Sequence, residues 1–152
     1  MAGATCRGVP AMFQTTASQI GLVVTTLICL FAAWAGGREQ KTVAAIVMIG
    51  WIASAAAEDR SFRNPQYVTL ALDGLLTVVF ATLAVRWRAT WLMGLAAFQI
   101  LTTATHFAMI LDPRIWPRAS ITAYLVWSYA VLACVAWGGV EGLLDRRRSR
   151  AR

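Results

Sequence analysis

The sequence predicts an all-α integral membrane helical bundle with five transmembrane helices, and three observations carry that prediction. Hydrophobic residues make up 59% of the 152 positions and charged residues only 14%, where a soluble domain carries about 25% charged residues. The charges are gathered into short clusters, so long apolar runs separate them, and the mean hydropathy is +0.60. Five such runs follow one another, each bounded by charge, glycine or proline. A helix in lipid satisfies its own backbone groups and offers its apolar side chains to the acyl chains, which water would solvate only at a cost.

The first run is Ile20 to Gly36, closed by Gly36-Gly37-Arg38-Glu39. The second is Thr42 to Ala57, closed by Glu58-Asp59-Arg60 and Asn64-Pro65. The third, Val68 to Val85, contains Asp73, and Arg86-Trp87-Arg88 separates it from the fourth, Thr90 to Leu111. Asp112-Pro113 ends the fourth, because proline disfavours helix in the residue before it. The fifth is Ser120 to Val140. A span needs about 20 residues, with 17 to 25 tolerated. The third, fourth and fifth runs meet that length; the first is marginal and the second short. A bilayer thinned by neighbouring helices accommodates a short span. The second run is also rich in small residues, among them Ala44, Ala45, Gly50, Ala53 and Ser54, which places it in the middle of the bundle. Four spans remain the alternative, if the second run is re-entrant or the first is cleaved. Ala33-Trp34-Ala35 has the small-x-small form of a signal-peptidase site, but the run is long for a signal core, so a retained helix is expected. The chain thus divides into an N-terminal tail (1–19), one helical bundle (20–141) and a basic tail (142–152). Met12 is an alternative start, which intact mass would decide.

Orientation follows from the basic residues. With five spans, one side carries Arg7, Arg60, Arg63, Arg114 and Arg118, and the other carries Arg38, Lys41, Arg86, Arg88 and five tail arginines. The richer side is expected in the cytoplasm, together with the C-terminus. The net charge of +7 therefore reads as membrane flanks. Arg146, Arg147, Arg148, Arg150 and Arg152 are expected to meet anionic lipid headgroups. Nucleic acid is not an expected partner, since its binders spread Lys and Arg over a water-facing surface. Cys6, Cys29 and Cys134 form no close pair for thiol exchange.

The polar residues inside the runs are the candidate site. Thr69, Asp73 and Thr77 recur every four positions and share a face of the third helix, while Gln99, Thr102, Thr103 and His106 share a face of the fourth. With Arg88 at the centre of the turn, Asp73 and His106 come within about one helical turn of each other in depth, and Thr77 lies level with Gln99. The one histidine of the chain thus meets the one acid well inside a span, with Glu58, Asp59 and Asp112 on the rim of the same side. Such a pair could relay protons, bind a cation or hold a quinone-like headgroup. It also serves, more simply, to fasten two helices in lipid. One histidine does not supply two axial haem ligands, and no metal motif, phosphate-binding glycine loop or nucleophile elbow is present. No cofactor is required by these residues. Tyr124, Trp127, Tyr129 and Trp137 read as packing, or as the lining of a pigment or lipid groove.

The stretch Phe98-Gln99-Ile100-Leu101-Thr102, through Thr105-His106 to Leu111-Asp112-Pro113, resembles a segment of small multi-span inner-membrane proteins of proteobacteria. The resemblance implies a bacterial inner-membrane location and brings no activity with it. The function expected from the residues is a non-catalytic accessory or scaffold subunit, whose partner is another membrane protein or a second copy. The alternatives are a small homo-oligomeric transporter or channel using the Asp73–His106 face, and a membrane redox or enzyme subunit.

Overall fold

The chain is all-helical in a computed structural model that describes residues 16–57, 67–111 and 117–151. The described residues form five helices in order: α1 (Thr16–Ala35), α2 (Arg38–Ala57), α3 (Tyr67–Trp87), α4 (Thr90–Leu111) and α5 (Pro117–Arg150). There is no strand among the described residues. Among the described residues three helices are long and apolar enough to cross a membrane: Tyr67–Trp87, Thr90–Leu111 and Thr122–Arg150. The Gln19–Ala35 stretch of α1 is apolar but shorter.

Two tight turns set the topology. Between α1 and α2 only Gly36 and Gly37 are non-helical, so Arg38, Glu39 and Lys41, expected to lie between the helices, occupy the first turn of α2. The reason is local: Gln40 reaches back and its Oε1 accepts from the Gly37 amide at 2.9 Å, which is half of a capping box. Between α3 and α4 only Arg88 and Ala89 are non-helical. Arg88 has φ 53°, and its amide donates to the Ala84 carbonyl at 2.9 Å, closing the helix in the left-handed C-cap manner. An L-residue there costs roughly 1–2 kcal/mol. Arg88→Gly is therefore expected to raise the melting temperature in detergent, by a stabilisation of about 1 kcal/mol, and Arg88→Val to lower it.

The order of packing differs from expectation in one respect. Small side chains predicted α2 at the centre, but the broadest contacts belong to α4 and α5; α5 packs along α4 and α1 and touches α2 over a narrow strip. Glycines on α5 explain this. A Cβ at Gly138 would stand 2.6 Å from the Trp91 ring of α4, one at Gly139 2.7 Å from Phe31 of α1, and one at Gly142 2.6 Å from the Cα of Gly36. Three bare backbone positions thus let two helices approach α5 closely, whereas α2 leaves Ile49 and Ile52 exposed. The core is built from Cys29, Ala32, Val43, Val47, Phe80, Leu92, Leu95 and Val135, among others, with Phe80, Leu92 and Leu95 wholly enclosed.

The fifth helix also runs on to Arg150, through most of the stretch expected to be a separate basic tail. Arg146 anchors that extension: its guanidinium donates to the carbonyls of Trp34 at 2.9 Å and Gly36 at 2.7 Å. Those are the free carbonyls at the end of α1, where a cation also meets the negative end of the helix dipole. Gln40 Nε2 adds a 3.4 Å bond to the Gly138 carbonyl, and Glu141 accepts from Thr90 at 3.3 Å. These contacts hold both turns and the C-terminal part of α5 at one end of the bundle. Arg38, Lys41, Arg86, Arg88 and the described tail arginines therefore share that end.

Candidate functional site

A hydroxyl on an apolar helix needs a nearby acceptor, and most threonines of α3 and α4 find one on their own helix. Thr82, Thr102 and Thr105 each donate to the carbonyl four residues earlier, at 2.7–3.0 Å. Thr102 is thereby satisfied within α4 and does not join the polar cluster, although it is buried.

The cluster itself bridges α3 and α4. Gln99 Nε2 donates to Asp73 Oδ1 at 3.2 Å, and both side chains are buried. Thr77 and Thr103 bond each other at 2.8 Å. Both also reach the Gln99 carbonyl, Thr77 at 3.3 Å and Thr103 at 3.1 Å. On the other oxygen of the same carboxylate, His106 Nε2 stands 3.2 Å from Asp73 Oδ2. The imidazole N–H is not aligned on that oxygen, so neither atom forms a hydrogen bond in spite of the short approach. The contact is therefore an electrostatic one.

Spacing along the chain did not reveal the third wall of the site. The Tyr124 ring of α5 meets the His106 ring edge-on, with centroids 5.0 Å apart. His106 is thus held by Asp73 on one side and an aromatic ring on the other, and its side chain is only 16% exposed. Thr69 sits one turn from Asp73, is buried, and leaves its Oγ1 without a partner. So does Thr25 of α1, which sequence spacing did not single out. Glu58, Asp59 and Asp112, the expected rim acids, lie outside the described residues.

Chemically the arrangement can hold a proton and tie three helices. Among the described residues no group of three His, Cys, Asp or Glu side chains could hold a metal ion. Cys29 is buried, Cys134 half-buried, and both are free. Of the tail arginines expected to meet lipid headgroups, Arg146 is engaged with α1. Arg148 is 3.9 Å from Asp145, and Arg147 and Arg150 are exposed. Arg152 lies outside the described residues. Trp127 stacks on Phe98 at 6.2 Å, Trp137 donates to Glu141 at 2.8 Å, and Tyr129 is exposed. No family model, curated protein or solved structure matches the chain.

Proposed function

We propose that the chain is a five-span protein of a bacterial inner membrane, with its C-terminus in the cytoplasm, and that it works as a non-catalytic accessory or scaffold subunit. The observation that supports this most is where the polar chemistry goes. Asp73, Gln99, Thr77 and Thr103 are turned inward onto one another between α3 and α4. Large apolar side chains such as Leu27, Trp34, Ile49, Leu75, Phe107 and Trp137 cover the outside of all five described helices. A protein built in this way meets its surroundings through lateral apolar contacts, with lipid and with other helices. The shared basic end supports the orientation, because short flanks rich in Lys and Arg stay in the cytoplasm.

Gentle detergent extraction of the tagged chain, followed by native mass measurement, tests the reading. A stoichiometric complex with a different membrane protein is expected. Emergence as a defined homo-oligomer, with no other subunit, would overturn it.

One observation favours a second reading, proton-coupled transport by an oligomer. Asp73 Oδ2, His106 Nε2 and Thr69 Oγ1 are buried polar atoms lacking aligned partners, and such groups inside a span are commonly parts of ion pathways. Flux across a pH gradient that disappears in Asp73→Asn is the result that reading requires.

A further inference from the structure

Beside the polar cluster, the bundle has an open groove of about 540 Å³ between α4 and α5. Its floor is made of small side chains, Gly94, Ala130, Ala133 and Cys134, and its walls of Phe98 and Trp137. At the basic end the groove finishes at Thr90. There Glu141 accepts from Trp137 Nε1 at 2.8 Å and from Thr90 Oγ1 at 3.3 Å, both through Oε1. Its other carboxylate oxygen takes no bond among the described residues. Arg88 is exposed two residues before Thr90, in the turn that leads into α4, and Arg86 is exposed just beyond it.

The groove's mouth therefore offers a carboxylate bonded to Thr90, two residues along the chain from the exposed Arg88, above an apolar slot. An anionic headgroup would suit the arginines but meet repulsion from Glu141. A quaternary ammonium would satisfy the charge of Glu141 yet donate no hydrogen bond to it. A phosphate next to a primary ammonium answers both: the phosphate faces Arg88 and the ammonium donates to Glu141. We propose that this groove is a binding site for a primary-amine phospholipid, one acyl chain lying over Gly94 and Ala133 and the headgroup spanning Arg88 and Glu141. The site depends on the membrane placement of α4 and α5, and not on the accessory-subunit reading.

The test uses the full chain in mixed micelles containing equal amounts of a phosphatidylethanolamine, the N-trimethylated lipid and a phosphatidylglycerol, all with the same acyl chains. Native mass spectrometry reads what stays bound. The primary-amine lipid is expected to be retained about fivefold over its N-trimethylated counterpart, the scale of one charge-assisted bond weakened by nearby water. In Glu141→Gln that preference falls to about parity while lipid is still retained, because the amide keeps an oxygen for Trp137 but loses the charge. Ala133→Trp, at an exposed position on the groove floor, should remove all three lipids without changing the melting temperature. Phosphatidylglycerol retained as well as the amine lipid, an unchanged preference in Glu141→Gln, or a lipid-free dimer closed over the groove would each overturn the proposal.

Discussion

Gly142→Val is expected to destabilise the bundle by roughly 3 kcal/mol, the largest effect of any single substitution considered. Overpacking alone costs about 1–3 kcal/mol. Here the obstacles are backbone atoms that cannot rotate away: the Cα of Gly36 at 2.6 Å, the Ala35 carbonyl at 3.1 Å and the Gly36 nitrogen at 3.2 Å. The ends of α1 and α5 must separate, and with them go the two bonds from Arg146 to the end of α1. Gly74 is the internal control, since a Cβ there meets nothing within 4 Å. Gly74→Ala should stabilise by about 0.5–1 kcal/mol, the helix preference of alanine over glycine. Thermal unfolding in detergent, followed by tryptophan fluorescence, reads both. A Gly142→Val protein that melts like the wild type would mean that α1 and α5 do not cross at these glycines.

The second large effect is expected at Asp73. Asp73→Ala leaves Gln99 Nε2 buried without its acceptor and removes the carboxylate beside His106, at a cost of about 1–3 kcal/mol. Measured polar contacts between membrane helices average nearer 0.6 kcal/mol, so the lower part of that range is expected. Asp73→Asn should lose less, because its amide oxygen still accepts from Gln99. His106→Ala removes the contacts with both Asp73 and Tyr124. In a double-mutant cycle, Asp73 and His106 should show a coupling of at least about 0.5 kcal/mol. Losses that simply add would show that the two residues do not fasten α3 to α4 as a pair.

Much of this site was legible in the sequence, because it sits within one hairpin. Once Arg88 is taken as the turn, helical rise alone brings Asp73 and His106 within about one turn and sets Thr77 level with Gln99, and both pairs are in contact; the bond from Gln99 to Asp73 was not part of that reading. Tyr124 was not legible in the same way. It comes from α5, and its depth depends on how α5 packs on α4, which no spacing within α4 encodes. The ends of α5 and α2 were misplaced because charge was taken to end a helix. Arg146 instead continues α5 by bonding to the end of α1, and Gln40 draws Arg38 and Lys41 into α2. A signal for both was present. Gly138 and Gly142 stand four apart, the small-residue spacing that lets helices touch, and Gly37 and Gln40 stand at capping distance. The glycine pair straddles the boundary expected after position 141, which hid it. The centre of the bundle was assigned to α2 by counting small residues, but close approach depends on where the absent side chains fall. On α5 they fall opposite Trp91, Phe31 and Gly36.

Five crossings with both tight turns inside the cell are tested most directly by single-cysteine labelling. Cys6, Cys29 and Cys134 are first replaced by serine or alanine, and one cysteine is then returned at Gly37, Asn64, Ala89, Arg114 or Ser149. A membrane-impermeant maleimide added to intact cells is expected to label positions 64 and 114, and to label 37, 89 and 149 only after permeabilisation. Labelling of 64 from the same side as 37 would mean that α2 does not cross, and the five-span bundle would fall.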